Sequence, residues 1–157
     1  MNAALARTCI HEAGHAIVAR WLGVVCTGAA ITGDTSGWCA TGRATPTEDL
    51  WVTWGGVEAE RILFGSANAA QVSCDLANIE RLARRYRMSD ATIEGARPQV
   101  RAVLWQNWDK VERVAFELAR RRYLPGMLID SFSWGWLALI CRNSARRSNG
   151  AAVRRKQ

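Results

Sequence analysis

Two histidines four residues apart, with a glutamate beside the first, are the side chains of this sequence best suited to metal chemistry. They occur in the segment His11-Glu12-Ala13-Gly14-His15. On a helix, residues four apart lie on one face, about 6 Å apart along the axis, so both imidazoles could reach one zinc ion at about 2.0–2.1 Å. Glu12 would remain free to accept a proton from an activated water. The pattern is therefore typical of zinc peptidases.

The residues that follow the motif predict that its helix is buried. A mostly apolar run extends from Ala16 to Leu22, and Gly23 is a suitable C-terminal cap. A lone histidine on such a helix is more often a core residue than a metal ligand. This motif, however, contains both histidines of the chain. Because Glu12 accompanies them, we interpret the set as a metal site.

The third metal ligand is less clear from the residues alone. A catalytic zinc site usually has three protein ligands and one open position. The chain has 2 histidines, so a carboxylate or a thiolate must complete the set. Sequence spacing leaves four candidates open: Glu58, Glu60, Cys74 and Asp75.

Hydrophobic periodicity, caps and turns predict the elements that must position these residues. We expect helices over residues 4–22, 45–64, 75–86 and 97–123, and strands over residues 24–32 and 38–43. The second helix would begin at a capping box formed by Thr45 and Glu48. The pair Gly55-Gly56 inside it suggests close packing against the metal helix. The predicted fold is mainly α, with a small β-hairpin beside the metal helix.

Composition sets the broad class of the protein. At 157 residues the chain should form one domain, over residues 1–141, with a basic tail over residues 142–157. Five cysteines, an odd number without close sequence pairs, favour reduced thiols and a cytoplasmic location. No signal peptide or membrane-spanning run is evident, and the apolar run over residues 132–140 is too short to span. The net charge of +7 makes the tail a candidate for nucleic acid or anionic lipid, although a solvated tail is the more common case.

Several stretches occur in the order found in one known family. They are His11-Glu12-Ala13-Gly14-His15-Ala16-Ile17-Val18-Ala19, Thr45-Pro46-Thr47-Glu48-Asp49, Gly55-Gly56-Val57-Glu58-Ala59-Glu60-Arg61-Ile62-Leu63-Phe64-Gly65, Asp75-Leu76 and Tyr86-Arg87-Met88-Ser89, followed by a helix with Asn107, Val111 and Leu118. Over about residues 5–130, the chain resembles the peptidase domain of the FtsH-type ATP-dependent zinc metalloproteases.

This resemblance implies specific roles for individual residues. It implies zinc as the cofactor, Glu12 as the general base, and three zinc ligands: His11, His15 and Asp75. Glu60 matches a family glutamate, for which support of a ligand and an ordinary helix-surface role are both open. The strand over residues 38–43 would be a sheet edge beside the metal that takes an extended peptide.

The chain departs from the family at three places. Ala69-Ala70-Gln71 stands where Thr-Thr-Gly is usual, Cys74 replaces an asparagine, and Arg87 replaces a glycine. Cys74 thus competes with Asp75 as a ligand. The family's membrane anchor and ATPase are not recognisable, since no phosphate-binding Gly-x-x-x-x-Gly-Lys loop occurs in the sequence.

We therefore expect a stand-alone zinc metalloendopeptidase that cleaves unfolded chains or peptides, unless a separate ATPase partner delivers substrates. The resemblance also implies a homo-oligomer, with a monomer or dimer as alternatives. A different class of function is a zinc-stabilised, non-catalytic binding or regulatory protein with the peptidase fold. A third is an adaptor that binds nucleic acid or a membrane surface through the arginine-rich tail.

Overall fold

A computed structural model describes residues 2–132 of the chain. Its elements are α1 (Ala3–Leu22), β1 (Cys26–Gly33), β2 (Ser36–Thr41), α2 (Pro46–Phe64), α3 (Ala69–Tyr86), α4 (Asp90–Gln106), α5 (Trp108–Arg121) and β3 (Tyr123–Pro125). Residues 126–132 are helical. The predicted mainly helical fold with a small antiparallel sheet is confirmed in this form. Most of the apolar run over residues 132–140, Cys141 and the basic tail lie outside the described residues.

The first helix is the centre of the fold. The Asn2 side chain caps α1 by accepting a hydrogen bond from the Leu5 N–H, and Gly23 ends it in the left-handed conformation with φ 81°. Between these caps α1 is buried along most of its length and packs against α2, α5 and the sheet. No helix within residues 2–132 is long and apolar enough to cross a membrane.

Two glycines allow α1 and α2 to approach until their backbones touch. A Cβ atom at Gly55 would lie 2.8 Å from the Gly14 carbonyl oxygen, and one at Gly14 would overlap the Gly55 carbonyl. This contact supplies the packing reason predicted for Gly55 inside a helix. The capping box of Thr45 and Glu48 and the helix end at Gly65 are also as predicted. The position of α2 against α1 is therefore determined by backbone contact.

The sheet has the strand order β2-β1-β3, with both pairs antiparallel. The predicted hairpin forms β1 and β2, with ends shifted by no more than two residues. The third strand was not predicted, since its residues were assigned to the end of a helix and its stop. It pairs Leu124, which is fully buried, with Ala29 of β1. Three residues are too few to show the alternation that reveals a strand. Within the described residues, β2 therefore has one neighbour and forms an edge.

The third helix begins earlier than predicted. It starts at Ala69 rather than Asp75, because the Asn68 side chain caps it by accepting a hydrogen bond from the Ala70 N–H. Asp75 therefore lies within the helix instead of at its start. At the other end, Arg87 adopts the left-handed conformation with φ 52°, in which glycine is the least strained residue.

The predicted single helix over residues 97–123 is wrong, because the chain forms two helices that meet at Asn107. The Asn107 side chain donates a hydrogen bond to the Val103 carbonyl and accepts one from Lys110. An asparagine that bonds the neighbouring backbone in this way competes with the regular helix. The first of the two helices also starts earlier, because Ser89 caps it, and it continues through Pro98.

The backbone contact between α1 and α2 makes a prediction about two glycine substitutions. Gly55→Ala should lower the free energy of unfolding by about 1–3 kcal/mol, because the new methyl group meets rigid backbone. Gly95→Ala is the matched control. A Cβ at Gly95, also within a helix, meets nothing within 4 Å, so this change should raise stability by about 0.5–1 kcal/mol. Urea unfolding of the metal-free proteins measures both, and equal stabilisation by the two changes would contradict the packing argument.

Candidate metal centre

Side chains from two helices converge at one point of the fold. His11 and His15 lie one turn apart on α1, and their Nε2 atoms are 3.0 Å apart. Asp75 reaches them from α3, with its Oδ2 atom 2.9 Å from His11 Nε2 and 3.4 Å from His15 Nε2. Among the described residues, these three form a group whose potential ligand atoms all lie within 4.8 Å of one another.

The opposite nitrogen of each imidazole is already engaged. His11 Nδ1 lies 2.8 Å from Glu60 Oε1, and His15 Nδ1 lies 2.7 Å from the Val52 carbonyl oxygen. A carboxylate and a carbonyl accept hydrogen bonds, so each Nδ1 carries a proton and donates it. The Gly56 N–H, which lies 3.3 Å from His15 Nδ1, makes the longer contact. In the neutral rings, both Nε2 atoms consequently present lone pairs to each other and to Asp75.

Three facing lone-pair atoms are the arrangement that a metal ion stabilises. Asp75 Oδ2 is buried and has no hydrogen-bond partner among the described residues, because its short contacts to the two rings lack hydrogen-bond geometry. Ligand atoms of a tetrahedral zinc ion lie about 3.3 Å apart, close to the separations in this group. The two imidazoles and the carboxylate therefore fit zinc, and the three residues that would hold it line a cavity.

Gly56 leaves space for this group. A Cβ atom at Gly56 would lie 2.5 Å from His15 Nε2 and 2.7 Å from His11 Nε2. Contacts that short are essentially never seen for real side chains, so residue 56 must lack one for both rings to keep their positions. The two adjacent glycines of α2 thus have different roles, since Gly55 admits the backbone of α1 and Gly56 admits the two imidazoles.

Glu60 is a buried support for His11. Its carboxylate accepts hydrogen bonds from His11 Nδ1 at 2.8 Å, from Arg7 at 3.0 Å and from the Asn68 N–H at 2.8 Å. Burial favours its protonation, but these donors outweigh burial and lower the pKa of Glu60. The sequence left two roles open for Glu60: support of a ligand and an ordinary helix-surface role. Because Glu60 is fully buried, the structure supports the first role, the orientation of His11.

Of the four candidate third ligands, the structure brings only Asp75 to the ring nitrogens that face each other. Glu58 is fully buried and binds arginines of α2 and α4: Arg61, Arg97 and Arg101. Glu60 approaches the opposite nitrogen of His11. Cys74 lines the same cavity but is exposed and does not join the ligand group.

Glu12 borders the cavity without a partner of its own. The cavity has a volume of about 550 Å³, and His11, His15 and Asp75 lie on its wall together with Glu12. Within residues 2–132, the Glu12 carboxylate makes no hydrogen bond or ion pair. Burial raises the pKa of Glu12, although the positive charges of His15 and His11 oppose this rise. A carboxylate with a raised pKa is a better general base near neutral pH.

The edge strand β2 forms another wall of this cavity. Residues from Ser36 to Cys39 and Thr41 line it. A Cβ atom at Gly37 would lie 2.9 Å from Glu12 Oε1 and 2.7 Å from the Ala30 carbonyl oxygen. Gly37 lies just before the second strand predicted from the sequence, and its contact with Glu12 was missed. A glycine within a strand often marks such a close approach, but the sequence does not identify the group that approaches.

The charges at the centre favour protonated histidines when no metal is present. Burial lowers the pKa of His11, but the nearby carboxylates of Asp75 and Glu60 outweigh it and raise this pKa to about 10. The pKa of His15 is also raised, since the charge of Asp75 overcomes burial. Conversely, the two histidines overcome the effect of burial and hold the pKa of Asp75 below its usual range.

Comparisons with known proteins do not add a family assignment. Neither the family models nor the curated protein sequences contain a match to this chain. A function for this chain is therefore inferred from the site itself and from the resemblance to the FtsH-type peptidases.

The geometry of the ligand group predicts which of two adjacent residues binds zinc. Asp75→Asn should weaken zinc binding by more than about a hundredfold, because the amide removes the charged oxygen that faces both imidazoles. Cys74→Ser should leave zinc binding within about threefold, because the Cys74 side chain lies outside the group. Competition titrations with a chromogenic chelator measure both affinities. Loss of zinc from the serine variant alone would assign the ligand role to the thiolate.

The raised histidine pKa values predict proton release on metal binding. At pH 7, His11 is protonated in the metal-free protein, because its pKa is about 10, whereas a metal-bound imidazole must present a lone pair. Zinc affinity should therefore increase with pH by at least about tenfold per unit between about pH 6 and about pH 8. Calorimetric titrations in buffers of different protonation enthalpy count the released protons. A binding enthalpy independent of the buffer would contradict this assignment.

Proposed function

We propose that this protein is a zinc metallopeptidase that cleaves unfolded or peptide substrates. Zinc would be held by His11, His15 and Asp75, and Glu12 would be the general base. The observation that carries the proposal is the coincidence of two features in one cavity. The three lone-pair atoms that fit a metal face each other. The wall beside them carries the buried carboxylate of Glu12, which has no hydrogen-bond or ion-pair partner within residues 2–132.

The roles of the protein groups follow from their contacts. Bound zinc would polarise the scissile carbonyl and make the attacking water more acidic. Glu60 and the Val52 carbonyl fix the rotations of His11 and His15, so that both Nε2 atoms face the cavity. Glu12, with its raised pKa, accepts a proton from the attacking water and delivers it to the leaving amine. No hydrogen bond or ion pair has to be broken for this transfer, because the Glu12 carboxylate makes none among the described residues.

The proposed substrate is an extended polypeptide that pairs with the free edge of β2. This strand has one hydrogen-bonded neighbour within the described residues, and it runs along the cavity that contains Glu12. An extended chain added to that edge would place a peptide bond beside the candidate metal centre. A folded protein cannot present its backbone in this way, which favours unfolded chains, peptides and exposed termini as substrates.

The resemblance to the FtsH-type peptidases is part of this proposal. It implied Asp75 as the third ligand, from a helix that follows the glycine-containing helix. The proximity of the Asp75 carboxylate to both Nε2 atoms supports that implication, as does the position of Glu60 behind His11. The polypeptide-cleaving activity of the family is consistent with the arrangement of β2 beside Glu12.

One observation favours the alternative of a zinc-stabilised, non-catalytic binding protein. Among the described elements, α3 packs mainly against α2, and Asp75 is its contribution to the candidate metal centre on α1. Zinc would then hold α3 in place and stabilise the fold even without catalysis. The two functions differ in what they require of Glu12, because a structural zinc site has no need of a base.

Cleavage of casein by the zinc-loaded protein tests this proposal. The wild-type chain should cleave casein, and Glu12→Gln should reduce the rate by about 10²–10⁴-fold, because the amide cannot accept the proton. Zinc content should be unchanged, since Glu12 lies outside the ligand group. Removal of zinc by a chelator should abolish cleavage, and added zinc should restore it.

The possible negative results have different meanings. Equal cleavage by wild type and Glu12→Gln, or cleavage that persists in chelator, would reject the proposed mechanism. Zinc binding by both proteins without cleavage by either would favour the zinc-stabilised binding protein. An activity that appears only when an ATPase partner is added would retain the mechanism but reject stand-alone action.

A further inference from the structure

Two cysteines that are distant in sequence touch in the sheet. The Sγ atoms of Cys26 and Cys39 lie 3.6 Å apart, and both cysteines are free thiols. Cys26 belongs to the central strand β1 and Cys39 to the edge strand β2. The other described cysteines, Cys9 and Cys74, have no such neighbour. The sequence predicted reduced thiols without a pair, because thirteen residues and a turn separate the two positions.

The contact has a specific place beside the candidate site. Cys39 lines the cavity with the metal-binding group, whereas Cys26 is 2% exposed and lies behind it. An irregularity in the pairing of β1 with β2 falls between Cys26 and Gly28. Two residues along β2 from Cys39, Gly37 packs against Glu12. The thiol pair is thus connected through one short strand to the proposed general base.

We propose that Cys26 and Cys39 are a site of reversible oxidation, at which a peroxide converts the two thiols into a disulfide that displaces β2 and obstructs the cavity. The formation of the disulfide depends only on the two cysteines. Its effect on cleavage rests on the proposed peptidase function.

The reaction balances with one molecule of hydrogen peroxide. Cys39 opens to the cavity, so its sulfur reacts first: an S–O bond forms, the O–O bond breaks, and the thiol proton leaves in a molecule of water. The sulfur of Cys26 then attacks that of Cys39. An S–S bond forms, the S–O bond breaks, and the second thiol proton leaves in a second water. Two thiols are oxidised, and the peroxide is reduced to water.

The contact between the two sulfurs favours the second step and slows the first. The S–H of Cys39 lowers the pKa of Cys26, which makes Cys26 the better nucleophile for the second step. The same interaction, together with burial, raises the pKa of Cys39, so the first step should limit the rate.

Closure of the disulfide requires movement of a strand, because the two cysteines are diagonal neighbours: Cys26 pairs with Thr41, and Cys39 pairs with Ala29. Diagonal positions of an antiparallel pair lie about 7–8 Å apart, whereas a disulfide usually joins Cα atoms about 4.4–6.8 Å apart. A disulfide bond is about 2.05 Å long, so two sulfurs that lie 3.6 Å apart must approach by about 1.5 Å. The central strand β1 is held on both sides by its neighbours, whereas β2 is held on one. The displacement should therefore fall on β2, which carries Gly37 against Glu12. A shift of about 1 Å at a catalytic group can reduce the rate by up to about a hundredfold.

Peroxide treatment of the full chain, in a Cys74→Ser background that removes the exposed thiol, tests this inference. Mass spectrometry of a non-reduced digest should identify a Cys26–Cys39 link. Hydrogen exchange over residues 36–41 should slow by about tenfold, because the link opposes local opening of β2. Casein cleavage should fall by about tenfold or more, zinc content should not change, and a phosphine reductant should restore the rate.

Cys39→Ser in the same background is the matched control, because it removes one sulfur from the cavity wall. Peroxide treatment should therefore leave the rate of casein cleavage by this variant unchanged. No Cys26–Cys39 link, or a link between other cysteines, would overturn the proposal. A link without altered hydrogen exchange or cleavage would overturn the displacement of β2. If the untreated protein did not cleave casein, the proposed peptidase function would fail, while the digest and the hydrogen exchange would still decide this inference.

Discussion

The close approach of α1 and α2 is the constraint on which the candidate site depends. Because Gly14 and Gly55 allow backbone contact, His15 reaches the Val52 carbonyl and His11 reaches Glu60. Both rings are then fixed by groups of α2, with their Nε2 atoms close to Gly56. A larger side chain at this crossing would separate the helices and release both rings at once. The packing of α1 against α2 and the placement of the two histidines therefore depend on the same backbone contact.

Charge balance explains why this buried site needs a cation. The carboxylates of Glu12, Glu60 and Asp75 surround two imidazoles in a region of low exposure. Arg7 compensates part of the charge of Glu60, but within residues 2–132 no arginine or lysine pairs with Glu12 or Asp75. Without a metal, protons on the histidines supply the positive charge, in agreement with the raised pKa of His11. A divalent ion bound to the same nitrogens would replace these protons, so metal binding would compete with protonation.

The sequence predicts those elements whose signals are local. The ends of α2 follow from the capping box at Thr45 and from Gly65, and the histidine pair follows from helical spacing alone. Asp75 could not be separated from three rivals, because the choice depends on how α3 lies across α1. The break at Asn107 was also missed, since its cause is one buried amide that bonds Val103 and Lys110. A long-range contact thus accounts for the first of these differences, and a local side-chain bond that hydrophobic periodicity does not register accounts for the second.

The edge strand combines three roles that the sequence does not connect. Its outer edge has no neighbour among the described residues, and we propose that an extended chain pairs there. Gly37 leaves room for Glu12, and Cys39 touches the thiol of the central strand. A buried carboxylate without a partner costs stability, so a protein that only needed a metal clamp would gain by replacing Glu12. The Glu12 carboxylate, which makes no hydrogen bond or ion pair within residues 2–132, is consequently the strongest physical support for the proposal that the cavity performs a reaction.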